Sequence, residues 1–179
     1  YYIFRQLGIT VYQRQLYRFA PKSVDSCFFT ASGDMLFSRA GEMSSQEEAQ
    51  QFITDNDVTF AVAFGPVMVD NGQLAEFGSY PIGENNRTYS RTAIGQRDKL
   101  HYILMTINYE DDHSVAATVS EAAEYIFSKG VVKAYALDGG QTSTMVMNGH
   151  TVNRPDWGNQ RTQSDIIYFA TALPEEVNP

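Results

Sequence analysis

The chain has 179 residues, 43% of them hydrophobic and 13% aromatic, enough to fold around a sizeable core instead of staying disordered. Its net charge of −8 argues against the basic face that nucleic-acid phosphates require, though not against an anionic ligand held by a few arginines. No stretch approaches the roughly 18 continuous apolar residues of a membrane span. The single cysteine, Cys27, excludes an intrachain disulfide and a cysteine-rich zinc site.

Short β-branched and aromatic runs separated by polar turns predict strands at Ile9–Tyr12, Leu16–Phe19 and Ser26–Thr30. Cys27 lies inside the last of these, beside Phe28 and Phe29, and reads as a buried structural thiol. Ser32-Gly33-Asp34 is a turn, and Met35–Phe37 another strand. Ser44 with Glu47, or Ser45 with Glu48, forms a capping box that opens a helix running to about Thr54.

Thr59–Phe64 is an apolar strand, interrupted by Gly65-Pro66 and continued by Val67–Val69. Asp70-Asn71-Gly72 is a hairpin signal. Residues 75–88 are polar and irregular, the pattern of a loop over a site. Thr92–Gly95 and His101–Asn108 read as strands. A second capping box, Thr118 to Glu121, opens a helix with apolar residues at 119, 122, 123, 126 and 127, closed by Gly130. Val131–Leu137 is the next strand, so residues 101–137 have the length of a βαβ unit. A polar loop over 150–164 carries Arg154, Asp156, Trp157 and Arg161, and Asp165–Thr171 is a last strand. The expectation is one α+β domain over residues 1–179, a strand-rich mixed β-sheet with a few packed helices.

The stretch with the most chemistry is Asp138-Gly139-Gly140-Gln141-Thr142-Ser143-Thr144, directly after an apolar strand. A carboxylate at a strand end can act as general acid, general base or metal ligand. The two glycines let backbone approach a ligand, and successive N–H groups there can form an anion nest. Ser143 and Thr144 can hydrogen-bond a sugar or phosphate. The same letters also spell a tight hairpin turn. Arg91 and Arg161 offer bidentate guanidinium groups for phosphate or carboxylate, although a solvated salt bridge is the commoner fate of an arginine. His101, His113 and His150 share no metal-ligand spacing, and no serine-hydrolase elbow, P-loop or dinucleotide fingerprint occurs. Trp157 with Tyr80, Tyr89 or Tyr109 can form a sugar-stacking platform, with core packing as the ordinary alternative.

Taken in order, four segments resemble the phosphodiester glycosidase family. They are Phe64-Gly65-Pro66-Val67-Met68-Val69-Asp70-Asn71-Gly72, Arg91-Thr92-Ala93-Ile94-Gly95, Ala136 to Met145, and Arg161 to Phe169. The family's upstream "NGGFF" segment has no evident equivalent, so residues 1–179 are expected to lack the family's N-terminal part. Gln141 and Thr142 replace the glycine and serine of many members.

The resemblance implies a hydrolase that breaks the anomeric C–O bond of a sugar-1-phosphodiester. Asp138 and Arg91 would be catalytic, and Gly65, Gly139, Gly140, Ser143, Thr144 and Arg161 would bind substrate. A second carboxylate would be Asp70, Glu84 or Asp165, or would lie in the upstream segment. No cofactor is required, though a divalent cation is compatible with Asp138. The partner would be a sugar phosphate or glycan, in a bacterial envelope polysaccharide outside the cell or on its surface. Alternatives are a non-catalytic phosphoglycan-binding domain and a phosphodiesterase that breaks the P–O bond.

Overall fold

A computed structural model describes residues 7–82, 84–109, 116–163 and 165–170. Its first sheet is built from β1 (Gly8–Tyr12), β2 (Gln15–Ala20), β3 (Ser26–Thr30), β4 (Met35–Ser38) and β5 (Val58–Ala63), in the order β2-β1-β5-β3-β4. Helix α1 (Gln46–Asp55) joins β4 to β5. The second sheet holds β6 (Val67–Asp70), β7 (Gln73–Leu74), β8 (Arg91–Asp98), β9 (His101–Ile107) and β10 (Lys133–Leu137), in the order β7-β6-β10-β8-β9. Helix α2 (Val119–Phe127) connects β9 to β10, and a small hairpin pairs β11 (Val146–Met147) with β12 (His150–Thr151).

Period-two alternation sorts side chains into three apolar layers. Phe28 of β3 faces α1 with Ile9, Ala49, Ile53 and Ala61. Its neighbours Cys27 and Phe29 face the other way, packing with Val67, Ile94 and Tyr135 between the sheets. Ala93, Ala134 and Ala136 on the far side of the second sheet meet Val119, Ala122, Ala123 and Ile126 of α2. The layers are therefore helix, sheet, sheet, helix. β3 reads as a continuous apolar run because both its faces are covered, and every one of its residues is buried. Full burial of a side chain such as Phe28 is worth about 1.5–3 kcal/mol.

The α+β class holds, but every strand pair among the described residues is antiparallel, where a mixed sheet was expected. The βαβ unit explains the difference. β9 and β10 run the same way, yet β8 lies between them and is antiparallel to both. α2 thus crosses over a strand without making a parallel neighbour.

Both helix starts follow their sequence signals. Ser45 accepts the Glu48 amide, and Thr118 and Glu121 make the complete capping box. The expected strand at 165–171 is absent over residues 165–170, which are irregular and expose Ile166, Tyr168 and Phe169. A run of β-branched and aromatic residues becomes a strand only when an edge pairs with it, and none does here. Thr171 lies outside the described residues. The β11–β12 hairpin was not expected, although Asn148-Gly149, both at positive φ, is a direct turn signal.

Candidate active site at the Asp138 strand end

Asp138 leaves the second sheet one residue after the β10–β8 ladder ends at Leu137 opposite Thr92. That register sets it beside Arg91, the first residue of β8. Gly65-Pro66 flanks the same end: Gly65 donates to the Ala136 carbonyl at 3.1 Å, and Ala136 donates to Pro66 at 3.0 Å. Three irregular segments then converge, namely residues 84–90, the 3-10 turn Gly140–Thr142 and the 3-10 turn Asp156–Gly158.

Asp138 and Arg161 are brought together. One Nη of Arg161 donates to Asp138 Oδ2 at 2.6 Å, and both side chains remain partly exposed, at 31% and 41%. The Arg161 amide donates to Gln141 at 3.3 Å, tying the loop to the turn. Burial raises the Asp138 carboxyl above its ordinary value, outweighing the opposing pull of Arg161, the Gly139 amide and Thr142. A carboxylate made more basic, yet accessible, is suited to accept a proton.

Arg91 is differently placed from the phosphate clamp expected of it. It is only 7% exposed, and its guanidinium donates to backbone carbonyls: Nε to Ala117 at 2.9 Å, and one Nη to Glu84 at 3.1 Å and Arg87 at 2.5 Å. It also lies over the Tyr89 ring at 5.4 Å. Burial lowers its pKa, and the strongest opposing influence is the charge of Asp156, followed by Tyr89, Glu84 and Asp138. Arg91 therefore braces the loops behind Asp138 while contributing positive potential to it.

Five amides of the expected anion nest are already engaged within the protein. The Gly139 amide donates to Asp138 Oδ1 at 2.9 Å and the Gly140 amide to Ser90 at 2.9 Å. Thr142, Ser143 and Thr144 donate their amides to Gly139, Gly140 and Thr142. The glycines serve close packing instead. A Cβ on Gly139 would sit 2.5 Å from the Ser90 carbonyl oxygen, and Gly140 has φ +67°. Gly65 likewise admits the Tyr80 hydroxyl, which would clash with any side chain there. Ser143 is fully buried and donates to the Arg91 carbonyl at 2.9 Å, so it is a staple between turn and strand. The Thr144 hydroxyl is buried, without a hydrogen-bond partner among the described residues.

None of the expected second carboxylates joins Asp138. Asp70 sits near the start of β10, where Gly72 donates to Val132, and faces Arg39 at 3.8 Å. Glu84 spends its carboxylate on Tyr89 and Arg87. Asp165 is exposed in the irregular tail, and Ser164 beside it lies outside the described residues. The carboxylate that sequence reasoning missed is Asp156. It is 1% exposed, accepts the Ser90 amide at 2.9 Å through Oδ1, and lies against Gly140. No local pattern marks it, because Ser90 is 66 residues away.

Trp157 follows at positive φ, 62% exposed, with its ring tilted 6.3 Å from that of Tyr109. Tyr80 and Tyr89 are engaged elsewhere. His101 faces Asp98 at 3.5 Å, His150 is exposed in β12, and His113 lies outside the described residues. Among the described residues no three His, Cys, Asp or Glu side chains gather as a metal-binding group. No helix of the described residues is long and apolar enough to cross a membrane.

Two helix-backed antiparallel sheets, with an accessible Asp–Arg pair at one strand end, are the class of fold and site that this chain presents. The chain belongs to the phosphodiester glycosidase family, whose model matches residues 6–170. That span includes β1 to β5, which precede the four segments that carry the sequence resemblance. The chain is 23% identical over 164 residues to a prophage-derived uncharacterized protein of Bacillus subtilis, YomE, covering 90% of this chain and 25% of that one. Its fold is similar to the zebrafish N-acetylglucosamine-1-phosphodiester alpha-N-acetylglucosaminidase catalytic domain auto-inhibited by pro-peptide. The TM-score is 0.64 at 19% identity, covering 83% of this chain and 50% of that one. The chain thus spans half or less of the relatives it matches.

Proposed function

We propose that the chain hydrolyses the bond between an anomeric carbon and phosphate in a sugar-1-phosphodiester. The observation that carries this reading is the accessible Asp138–Arg161 pair, 2.6 Å apart, with a carboxyl more basic than usual. Arg161 turns its guanidinium from Asp138 to the phosphate as substrate enters, which leaves the carboxylate for a water molecule. Asp138 takes the proton of that water as its oxygen bonds to the anomeric carbon. The anomeric C–O bond breaks, and the electron pair leaves on the phosphomonoester, whose acidity makes a strong general acid unnecessary. Positive potential from Arg91 behind the turn favours the departing charge. Trp157 against Tyr109 offers the sugar an apolar face.

The proposed substrate is a phosphodiester-linked glycan of a bacterial envelope, met outside the cell or at its surface. The support is the family membership and a net charge that disfavours nucleic acid. Hydrolysis of N-acetylglucosamine 1-(methyl phosphate) in ¹⁸O-water tests the reaction. The label should enter the sugar, with methyl phosphate released. Label in the phosphate, with sugar 1-phosphate formed, would show P–O cleavage. Saturable binding without turnover by this chain and by the full-length protein would identify a phosphoglycan-binding module.

A further inference from the structure

An open sheet presents a row of unpaired backbone groups at each edge, and folded proteins blunt such edges by shortness, charge or bulges. Three of the four edges of the two large sheets are blunted here. β4 has four residues, β7 has two, and β2 carries Arg18 and pairs with β1 across a bulge. β9 is the exception. His101–Ile107 is a seven-residue edge strand without Asp, Glu, Lys, Arg or Pro, and among the described residues β8 alone pairs with it.

Alternation across the sheet shows which groups of β9 are free. The Ala136 carbonyl accepts Gly65 and its amide donates to Pro66, so its backbone faces the β6 side. Tyr135 and Leu137 therefore face β8, and their partners Ile94 and Thr92 face back. That turns Arg91, Ala93 and Gly95 toward Ile107, Met105 and Ile103. The N–H and C=O groups of Tyr102, Leu104 and Thr106 are left directed outward. Leu104 is the midpoint of the strand, so this row reads the same from either end. An antiparallel copy of the same strand matches it: Leu104 exchanges both bonds with its own equivalent, and Tyr102 with Thr106 on either side.

Charge and apolar area fit the same occupant. Glu121, Tyr125 and Lys129 follow one another at four-residue spacing along α2 and its last turn. Glu121 caps the end near Ala117, whose carbonyl accepts Arg91 opposite Ile107, and Lys129 adjoins Gly130 against Arg97, toward the His101 end. A two-fold axis reverses this direction, so the acidic end of each copy lies toward the basic end of the other. Leu104, Tyr125 and Lys129 line one open groove beside the edge, and the Phe169 ring lies 5.7 Å from that of Tyr102. The exposed parts of Tyr125, Tyr168 and Phe169 offer roughly 300–450 Å² of cover, at about 150–250 Å² per aromatic side chain. A standard interface takes about 800 Å² from each partner, so with the strand and Leu104 added this patch suits a weak dimer. We propose that the β9 edge is a homodimer surface, with a two-fold axis at Leu104 that joins the second sheets of two copies into one continuous sheet. The Asp138 turns then lie at opposite ends of the seam.

Sedimentation velocity of the wild-type chain from about 10 to about 500 μM should show a dimer that grows with concentration. A monomer throughout overturns the proposal. Leu104 is part-exposed, so a charge there is compatible with folding. Leu104→Lys and Leu104→Glu each set like charges face to face at the axis and should weaken self-association at least about tenfold. An equal mixture of the two variants should recover it, because Lys then faces Glu. Undiminished association of either variant alone overturns the surface, and a mixture that associates no better than its components overturns the axis at Leu104. Hydrogen exchange of the wild-type chain gives a reading independent of any variant. The Tyr102, Leu104 and Thr106 amides should slow at least about tenfold across the dimer transition, while Met105, bonded to β8, stays unchanged. Protection of those three amides at every concentration would mean that another part of the chain covers the edge, and overturns the dimer.

Discussion

Two buried carboxylates in this molecule, Asp25 and Asp156, are held in opposite ways. Asp25 lies between the sheets, with Oδ1 accepting Ala40 at 3.0 Å, Oδ2 accepting Val67 at 2.9 Å, and Arg39 at 3.5 Å. Around it Tyr80 and Tyr135 close a ring of bonds. Tyr135 donates to the Asp25 carbonyl and accepts from Phe64, while Tyr80 accepts from Asp25 and donates to the Phe64 carbonyl. Burial drives both phenols above their ordinary pKa, so they stay neutral donors. Asp156, by contrast, has one oxygen hydrogen-bonded among the described residues, and the hydroxyl of Ser90, whose amide it accepts, likewise has no partner among them. A fully connected network stabilises one arrangement, whereas a partly connected one retains polar capacity at a cost in stability. The first region fastens sheet to sheet. The second lies behind the reacting turn.

Substitutions should separate the two regions. Asp138→Asn should lower turnover about 10²–10⁴-fold without lowering the thermal unfolding midpoint, measured by steady-state kinetics and calorimetry. Near wild-type turnover would remove Asp138 from the chemistry. Arg161→Lys loses the planar fork and should cost about 10–100-fold in kcat/KM. Full activity there would transfer the phosphate to another group.

Gly139→Ala sets a methyl against the Ser90 carbonyl. It should cost about 1–3 kcal/mol in denaturant unfolding and reduce activity with it. Tyr135→Phe removes the bonds of its hydroxyl to the Phe64 amide and the Asp25 carbonyl and should also cost about 1–3 kcal/mol, yet leave kcat per folded molecule unchanged. A fall in kcat would mean that the Asp25 ring reaches the site.

The smallest effect is in pH. Activity should rise with pH as Asp138 loses its proton, with a midpoint above 3.8, the ordinary value. Because the native state binds this proton more tightly than the unfolded chain, Asp138 lowers stability as pH rises from the unfolded to the raised native pKa. In Asp138→Asn both limbs should vanish, so a retained acid limb would assign it elsewhere.

Local chemistry is legible in the sequence itself. The Thr118–Glu121 box, the Asp70-Asn71-Gly72 turn and the alternation of Cys27, Phe28 and Phe29 all act over a few residues, and the strands and helices form where those signals lie. Asn148-Gly149 is an equally local hairpin signal, and β11 and β12 pair across it. The Asp138 turn and Arg161 are legible as chemistry from residue type and order.

What the side chains around that turn do is decided only in three dimensions. Ser143 finds its acceptor 52 residues away, Asp156 its donor 66 away, and Arg91 one acceptor 26 away. A sequence shows which groups can donate or accept, but packing decides which have already done so. That is why Arg91, Ser143 and the glycine amides became scaffold, why Asp156 emerged behind them, and why the Asp138–Arg161 pair kept an accessible face.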